Sequence, residues 1–222
     1  MTSSEPLGSP LRRNQVWFIS QVIVGIAFAV WLRFKARGVE RLPPEGGGLL
    51  LSNHQSFLDP LLVGLPIRRP ISFLARDTLF KVPFVGWMLR HTYVLPLNRD
   101  GGSSGAIRET LRRMEQGFLV GVFPEGTRSA DGALGTFKPG FAALVRRTDL
   151  PIFPVGVAGA NRALGRGAWF IKPYPVCVVY GEPIPREEIV RLSERGREQE
   201  LVEAVRQRIA RCQQEAEAWL AS

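Results

Sequence analysis

Leu49-Leu50-Leu51-Ser52-Asn53-His54-Gln55-Ser56-Phe57-Leu58-Asp59-Pro60 is the stretch on which the fold turns. A short uncharged apolar run that gives way abruptly to polar residues is the pattern of a strand buried on both faces. Pro60 suits the first turn of a helix, where its missing N–H costs nothing, and Asp59 before it is a good N-cap. Strand, polar loop and helix are thus expected in immediate succession. The same alternation extends outward in both directions. Strands are expected at residues 34–39, 49–52, 71–75, 93–97, 118–123, 152–157 and 176–180, and helices near 58–64, 106–116 and 141–147. Pro43, Pro44 and the glycines at 46–48 mark the turn between the first two strands. Such a series predicts a single α/β domain, built on a mixed, mostly parallel sheet flanked by helices on both faces. A long polar helix over about 193–220 is expected to close the chain. At 222 residues there is room for one substantial core.

The N-terminal segment reads differently. Residues 1–10, rich in Ser, Pro and Gly, suggest a disordered leader, and Arg12 and Arg13 introduce a nearly unbroken apolar run over 16–32. As a helix that run would extend roughly 25 Å, somewhat short of the ~30 Å hydrocarbon core of a bilayer. Arg12, Arg13 and Ala27-Phe28-Ala29 also mimic a secretory signal, but Arg33, Lys35 and Arg37 directly afterwards oppose translocation. A buried core helix is the other alternative. Trp17 and Trp31 near the two ends favour a membrane-anchoring helix, peripheral or barely spanning, on the cytoplasmic side of the cell membrane. Residues 1–32 are accordingly expected to be leader and anchor, and 33–222 the catalytic domain.

Lys and Arg number 29 against 20 Asp and Glu, a net charge of +9 that implies an anionic partner. Over residues 186–211 seven arginines face six glutamates, so the excess lies upstream, with the motifs. That placement favours anionic ligands and an anionic membrane surface over nucleic acid, for which no recognised module is present. Cys177 and Cys212 have neither disulfide-like nor metal-like spacing, and the two histidines, His54 and His91, form no HExxH. Neither a metal nor a cofactor is expected.

Candidate chemistry sits in two loops that leave strands, where α/β folds place their reactive groups. In the first, His54 and Asp59 would stand about 140° apart on one continuous helix, so they can meet only if the chain turns between them. The alternative is a capping box of Ser56 and Asp59 with no chemical role. In the second, Phe123-Pro124-Glu125-Gly126-Thr127-Arg128-Ser129 has the content of an oxyanion site. Gly126 admits close backbone approach, Thr127 and Ser129 donate hydroxyl hydrogen bonds, and Arg128 offers a planar fork for phosphate. Glu125 would hold an arginine or a substrate hydroxyl, and Arg99 and Lys138 are further cations able to converge there. The stretch 79–89, with Phe80, Phe84, Trp87 and Met88, would line an apolar groove, dip into lipid, or be ordinary core.

Asn53-His54-x-Ser56-x-x-Asp59, followed by Phe123 to Ser129, resembles the glycerolipid acyltransferases, especially the 1-acylglycerol-3-phosphate acyltransferases. The likeness takes in Arg99 as the middle arginine motif and Leu150-Pro151-Ile152-Phe153-Pro154-Val155 as the fourth block, and spans roughly residues 34–185. Tyr93 to Arg99 departs from the middle motif, lacking its glycine and acidic residue. The resemblance implies that His54 is the general base, oriented by Asp59. It implies that Arg99, Glu125, Gly126, Thr127, Arg128 and Lys138 bind a lysophosphatidic acid acceptor, and that the donor is acyl-CoA or acyl carrier protein. Lysophospholipids with larger heads or lyso-ornithine lipids are alternative acceptors. Two other classes compete. Gly101-Gly102-Ser103-Ser104-Gly105 satisfies the G-x-S-x-G pattern of serine esterases, but both histidines precede Ser103, contrary to that fold's order, and a flexible loop is expected instead. A non-catalytic lipid-binding module would give His54 no special role.

Overall fold

The structure is a computed structural model and describes residues 9–12, 14–97 and 102–222. Seven strands, β1 (Lys35–Arg37), β2 (Gly48–Ser52), β3 (Ile71–Arg76), β4 (Leu95–Leu97), β5 (Leu119–Val122), β6 (Ile152–Ala158) and β7 (Cys177–Tyr180), form one sheet. Their order is β1-β7-β6-β2-β5-β3-β4. All neighbours are parallel except β6 and β7. The expected α/β class holds, with every predicted strand present. Four strands, β1, β4, β5 and β7, are shorter than expected, and β4 starts only at Leu95 because Tyr93 sits at φ 62, outside the extended region.

β2 lies at the centre, paired with β5 through Leu49↔Val120 and with β6 through Leu49↔Ile152. All its side chains are buried because helices cover both faces. On one face α1 (Gln15–Trp31), α2 (Asp59–Gly64) and the short α6 (Ala160–Ala163) contribute Phe28, Leu62, Val63 and Ala163 to a core that includes Leu50. On the other, α4 (Gly102–Glu115), α5 (Ala142–Arg147), α7 (Arg186–Leu192) and α8 (Glu198–Ala221) cover Leu49 and Leu51 with Met114, Leu144, Leu192 and Val205. With no exposed surface on these leucines, truncation of one to alanine would cost about 2–5 kcal/mol.

The closing helix requires correction. It starts at Glu198 rather than near 193, and a separate helix, α7, precedes it, the two parted at 193–197 where Gly196 adopts φ 89. Its arginine–glutamate pairs are only partly local. Arg208 pairs with Glu188 across the break and Arg37 reaches Glu215 at 2.6 Å, while the contacts within α8 are one turn apart at i,i+3. α8 lies directly on the sheet, because a Cβ on Gly156 would come 2.2 Å from the α8 backbone at Cys212. Both cysteines are buried there and free.

Asn14 caps α1, its Oδ1 accepting from the Trp17 N–H at 2.8 Å. Midway along the helix, Gln21 donates to the carbonyls of Leu65 and Ile67 at 2.6 and 2.8 Å, satisfying the end of α2. Phe28 and Leu32 enter the sheet core. One face of α1 is therefore docked, while Ile19, Ile23, Ile26 and Val30 are exposed on another. Among the described residues no helix is long and apolar enough to cross a membrane. The 79–89 stretch forms a one-turn helix (Asp77–Lys81) and α3 (Pro83–His91), joined to α1 by an Asn14-to-His91 carbonyl bond of 2.7 Å. Phe84 is 73% exposed, so this stretch is not ordinary core.

Candidate active site

β2, β5 and β6 run parallel, so the loops that leave them gather at one end of the sheet. Asn53 sets the first loop. Its amide donates to the Val157 carbonyl at 2.9 Å and accepts from the Val157 N–H at 2.7 Å, so a side chain takes over the backbone pairing of β6 where β2 ends. The chain then turns, and Asp59 comes back to His54. Asp59 Oδ2 accepts from His54 Nδ1 at 2.8 Å and from the Gln55 and Ser56 N–H groups at 2.6 and 2.7 Å. The expectation of Asp59 as N-cap is thereby corrected. It is the first residue of α2, Leu58 occupies the cap position without a side-chain bond, and the carboxylate faces back into the preceding loop. Ser56 Oγ accepts instead from the Leu58 N–H at 3.1 Å.

Asp59 has no exposed surface. Burial pushes its carboxyl above the ordinary value, opposed by the bonds from His54 and the two amides. A carboxylate can only accept, so Nδ1 carries the hydrogen and Nε2 keeps the lone pair. The imidazole ring stacks on Phe123 (centroids 4.2 Å apart, planes 18°), which stacks in turn on Phe73. Two hydrogen bonds lock the histidine backbone to the second loop. The His54 N–H donates to Glu125 Oε1 and the Ser129 N–H donates to the His54 carbonyl, both at 2.7 Å.

Glu125 is buried and spends both oxygens on backbone, Oε2 accepting from the Gly135 N–H at 2.9 Å. A Cβ on Gly135 would lie 2.7 Å from that oxygen, so a larger residue there would displace the carboxylate. Burial raises the Glu125 pKa against the pull of the two amides. Among the described residues no arginine is a partner of Glu125. Ser129 is likewise engaged locally, donating to Asp131 and accepting from the Gly132 N–H, both at 2.9 Å. What remains open is cationic. Gly126 and Thr127 are exposed, Arg128 is half-buried, and the Lys138 side chain lies along Gly126. Lys138 is anchored by its own N–H to the Pro124 carbonyl at 2.9 Å. Among the described residues neither Arg128 nor Lys138 is paired with a carboxylate.

His54, Asp59 and Glu125 are thus joined by hydrogen bonds, and Gly126, Thr127, Arg128 and Lys138 follow on the loop bonded to them, at one end of the sheet's central strands. Arg99 lies outside the described residues. Gly102 to Gly105 form the first turn of α4, not the expected flexible loop, and Gly101 and the Ser103 side chain lie outside the description. Sequence reasoning missed the residues that brace the loops. Gln55 and Gln213 both donate to the Gly132 carbonyl, at 2.8 and 3.0 Å, which fastens the second loop to α8. Their positions 158 residues apart carry no local signal of that convergence (213 − 55).

Residues 33–158 match the family model described as Acyltransferase. The chain is 30% identical over 165 residues to a chloroplastic 1-acyl-sn-glycerol-3-phosphate acyltransferase of Arabidopsis thaliana, covering 73% of this chain and 46% of that protein. It is 24% identical to the 1-acyl-sn-glycerol-3-phosphate acyltransferase of Bacillus subtilis (strain 168), covering 79% and 85% respectively. The chain thus spans about half the length of the plant relative and most of the bacterial one. Among solved structures it is similar to the 1-acyl-sn-glycerophosphate acyltransferase of Thermotoga maritima, with a TM-score of 0.74, 27% identity and coverage of 90% of this chain and 79% of that one. The chain belongs to the acyltransferase family.

Proposed function

We propose that the protein transfers a fatty acyl group from acyl-CoA or acyl carrier protein to the sn-2 hydroxyl of 1-acylglycerol 3-phosphate, giving phosphatidic acid. The observation that carries this reading is the His54–Asp59 pair bonded directly to a loop that holds two cations with no carboxylate partner among the described residues. His54 Nε2 takes the proton of the acceptor hydroxyl, and the oxygen attacks the thioester carbonyl carbon. As the tetrahedral intermediate collapses, the C–S bond breaks and the imidazolium returns the proton to the departing thiolate. Asp59 holds the ring and stabilises its transient charge, a contribution of about 10²- to 10⁴-fold for a positioned base. No covalent acyl-enzyme is formed.

Arg128 and Lys138, with Gly126, Thr127 and Arg99, hold the phosphate, while Glu125 fixes the distance between base and phosphate by clamping His54 to the phosphate loop. The exposed apolar face of α1 rests on the cytoplasmic surface of the membrane, where long-chain acceptors reside. That reading is supported by the exposure of Ile19, Ile23, Ile26 and Val30, which recur every third or fourth residue along α1. The acyl chain takes an apolar path, each methylene removed from water contributing about 0.8 kcal/mol.

The test is direct. Purified protein is incubated with both thioester donors and a panel of lysolipids, and products are identified by mass. 1-Acylglycerol 3-phosphate is expected to outperform monoacylglycerol by a wide margin. Equal rates for the two would remove Arg128 and Lys138 as phosphate ligands, and no product from either donor would leave only a lipid-binding module.

A further inference from the structure

The segment between α6 and β7 has no part in the chemistry above, yet it is tied to the site and to α1 at once. Ser56, in the His54 turn, donates its hydroxyl hydrogen to the Leu164 carbonyl at 2.7 Å. Asn161 donates to the Asp131 carbonyl at 2.8 Å, in the loop that follows Arg128. At the other end, the Trp31 indole N–H donates to the Ile171 carbonyl at 2.9 Å, joining the segment to the last residue of α1. Its tip carries Trp169, 90% exposed, beside Phe170, 47% exposed, with ring centroids 5.0 Å apart. Leaving an indole so fully in water forgoes burial worth about 1.5–3 kcal/mol. Nothing among the described residues covers it.

The charge within this segment is all of one sign. Residues 150–181 contain Arg162, Arg166 and Lys172 and no Asp or Glu. All three cations are exposed, and among the described residues none is in an ion pair. Two lie against aromatic rings instead, Arg162 over Tyr174 at 5.3 Å and Lys172 over Phe170 at 5.9 Å. Indole and phenyl at the tip of a segment that carries three cations and no acid form the chemistry that settles at the headgroup layer of an anionic bilayer. The apolar face of α1 ends beside it, at Val30 and Trp31, 76% and 52% exposed.

We propose that the Trp169–Phe170 tip is a second membrane contact, inserting at the headgroup level of an anionic bilayer while α1 lies on the same surface. The proposal rests on the reading of α1 given above and adds what one helix cannot supply. A helix lying on a bilayer leaves the domain free to roll about the helix axis, whereas a second anchor stops the roll. Because the segment that carries the tip is bonded to the His54 turn at Leu164, the site is held facing the lipid at the depth of the acceptor's hydroxyl.

The experiment compares wild type with Trp169→Ser and Arg166→Gln, using vesicles of phosphatidylcholine with and without phosphatidylglycerol. Trp169 and Arg166 are exposed and outside the site, so both variants fold. Partitioning of Trp169→Ser into the mixed vesicles is expected to weaken about tenfold. Arg166→Gln should weaken it on mixed vesicles only. The emission component lost in Trp169→Phe should be quenched by brominated lipid. Turnover of vesicle-borne 1-acylglycerol 3-phosphate should fall with partitioning in Trp169→Ser, while a short-chain monodisperse acceptor is used at the wild-type rate. Unchanged partitioning and no quenching overturn the proposal. So does slower transfer from acyl carrier protein alone with partitioning intact, which makes the tip a protein-docking site. If wild type fails to acylate even the monodisperse acceptor, the proposed reaction fails, and partitioning still decides the tip by itself.

Discussion

The two halves of the candidate site are built on opposite terms. In the turn from Asn53 to Asp59 the polar groups are committed: Asn53 to β6, the His54 backbone to the second loop, and one Asp59 oxygen to three donors. In the loop from Gly126 to Lys138 the functional side chains are left uncommitted, with Arg128 and Lys138 lacking carboxylate partners among the described residues and Thr127 open to solvent. A base must be held in one geometry before substrate arrives, because each proton transfer depends on fractions of an ångström. A phosphate site gains from cations whose counterion is the ligand itself. The difference predicts that damage to the turn shows in kcat and damage to the loop shows in KM and in the choice of acceptor.

The largest effect tests the committed half. His54→Ala should lower kcat about 10³- to 10⁴-fold with any acceptor, because the attacking hydroxyl loses its base. Asp59→Asn should come close to this, about 10³-fold, by losing the carboxylate that sets the tautomer and stabilises the imidazolium. Steady-state rates with 1-acylglycerol 3-phosphate and with monoacylglycerol check both variants, and a loss confined to one acceptor would contradict the division of labour.

Next in size is the uncommitted half. Arg128→Ala should reduce kcat/KM for 1-acylglycerol 3-phosphate about 10²-fold, the equivalent of roughly 2–3 kcal/mol for a charge-assisted pair. Most of that loss should appear in KM, with monoacylglycerol turnover nearly unaltered. Arg128→Lys should restore charge without the bidentate fork and recover only part of it. Equal losses on both acceptors would show that Arg128 braces the base after all.

The same contrast explains what could be read from the sequence. Strands were legible because a strand buried on both faces must be continuously apolar, as at 49–52 and 152–157. Their order in the sheet was not, since adjacency of β2 to both β5 and β6 depends on contacts far apart in sequence. Arg128 and Lys138 were legible as candidates because a cation in a loop advertises its chemistry by type. Glu125 was harder. A carboxylate in a polar motif suggests a cation or a hydroxyl as partner, and only the fold reveals that two backbone N–H groups, of His54 and Gly135, converge on it. Asp59 was misplaced as a helix cap for a related reason, because Asp before Pro is what a capped helix looks like locally. The break at Gly196 was missed because a single glycine does not interrupt helical periodicity by itself.

Glu125 is where the two halves join, and its replacement gives the smallest and most diagnostic effect. Glutamine offers one acceptor oxygen to the two N–H donors of His54 and Gly135 and turns an NH₂ toward the other. Glu125→Gln should therefore destabilise the fold by about 1–3 kcal/mol. Its pH dependence follows from burial, which raises the folded-state pKa above the ordinary value of 4.5. A raised carboxylate pKa means that the folded state binds the proton more tightly than the unfolded chain, so the contribution of this group is fully present below 4.5 and declines as pH climbs through the raised value. Glutamine does not titrate. The stability gap between wild type and Glu125→Gln should thus be widest in acid and narrow toward neutrality, as followed by denaturant unfolding across that range. A gap that widens with rising pH would mean that the ionised carboxylate is the form the fold prefers, with the two amides outweighing the cost of burial. In that case Glu125 would act as an anionic clamp whose charge also reaches the imidazole, and the separation between a committed base and an uncommitted phosphate loop would have to be redrawn to place Glu125 with the base.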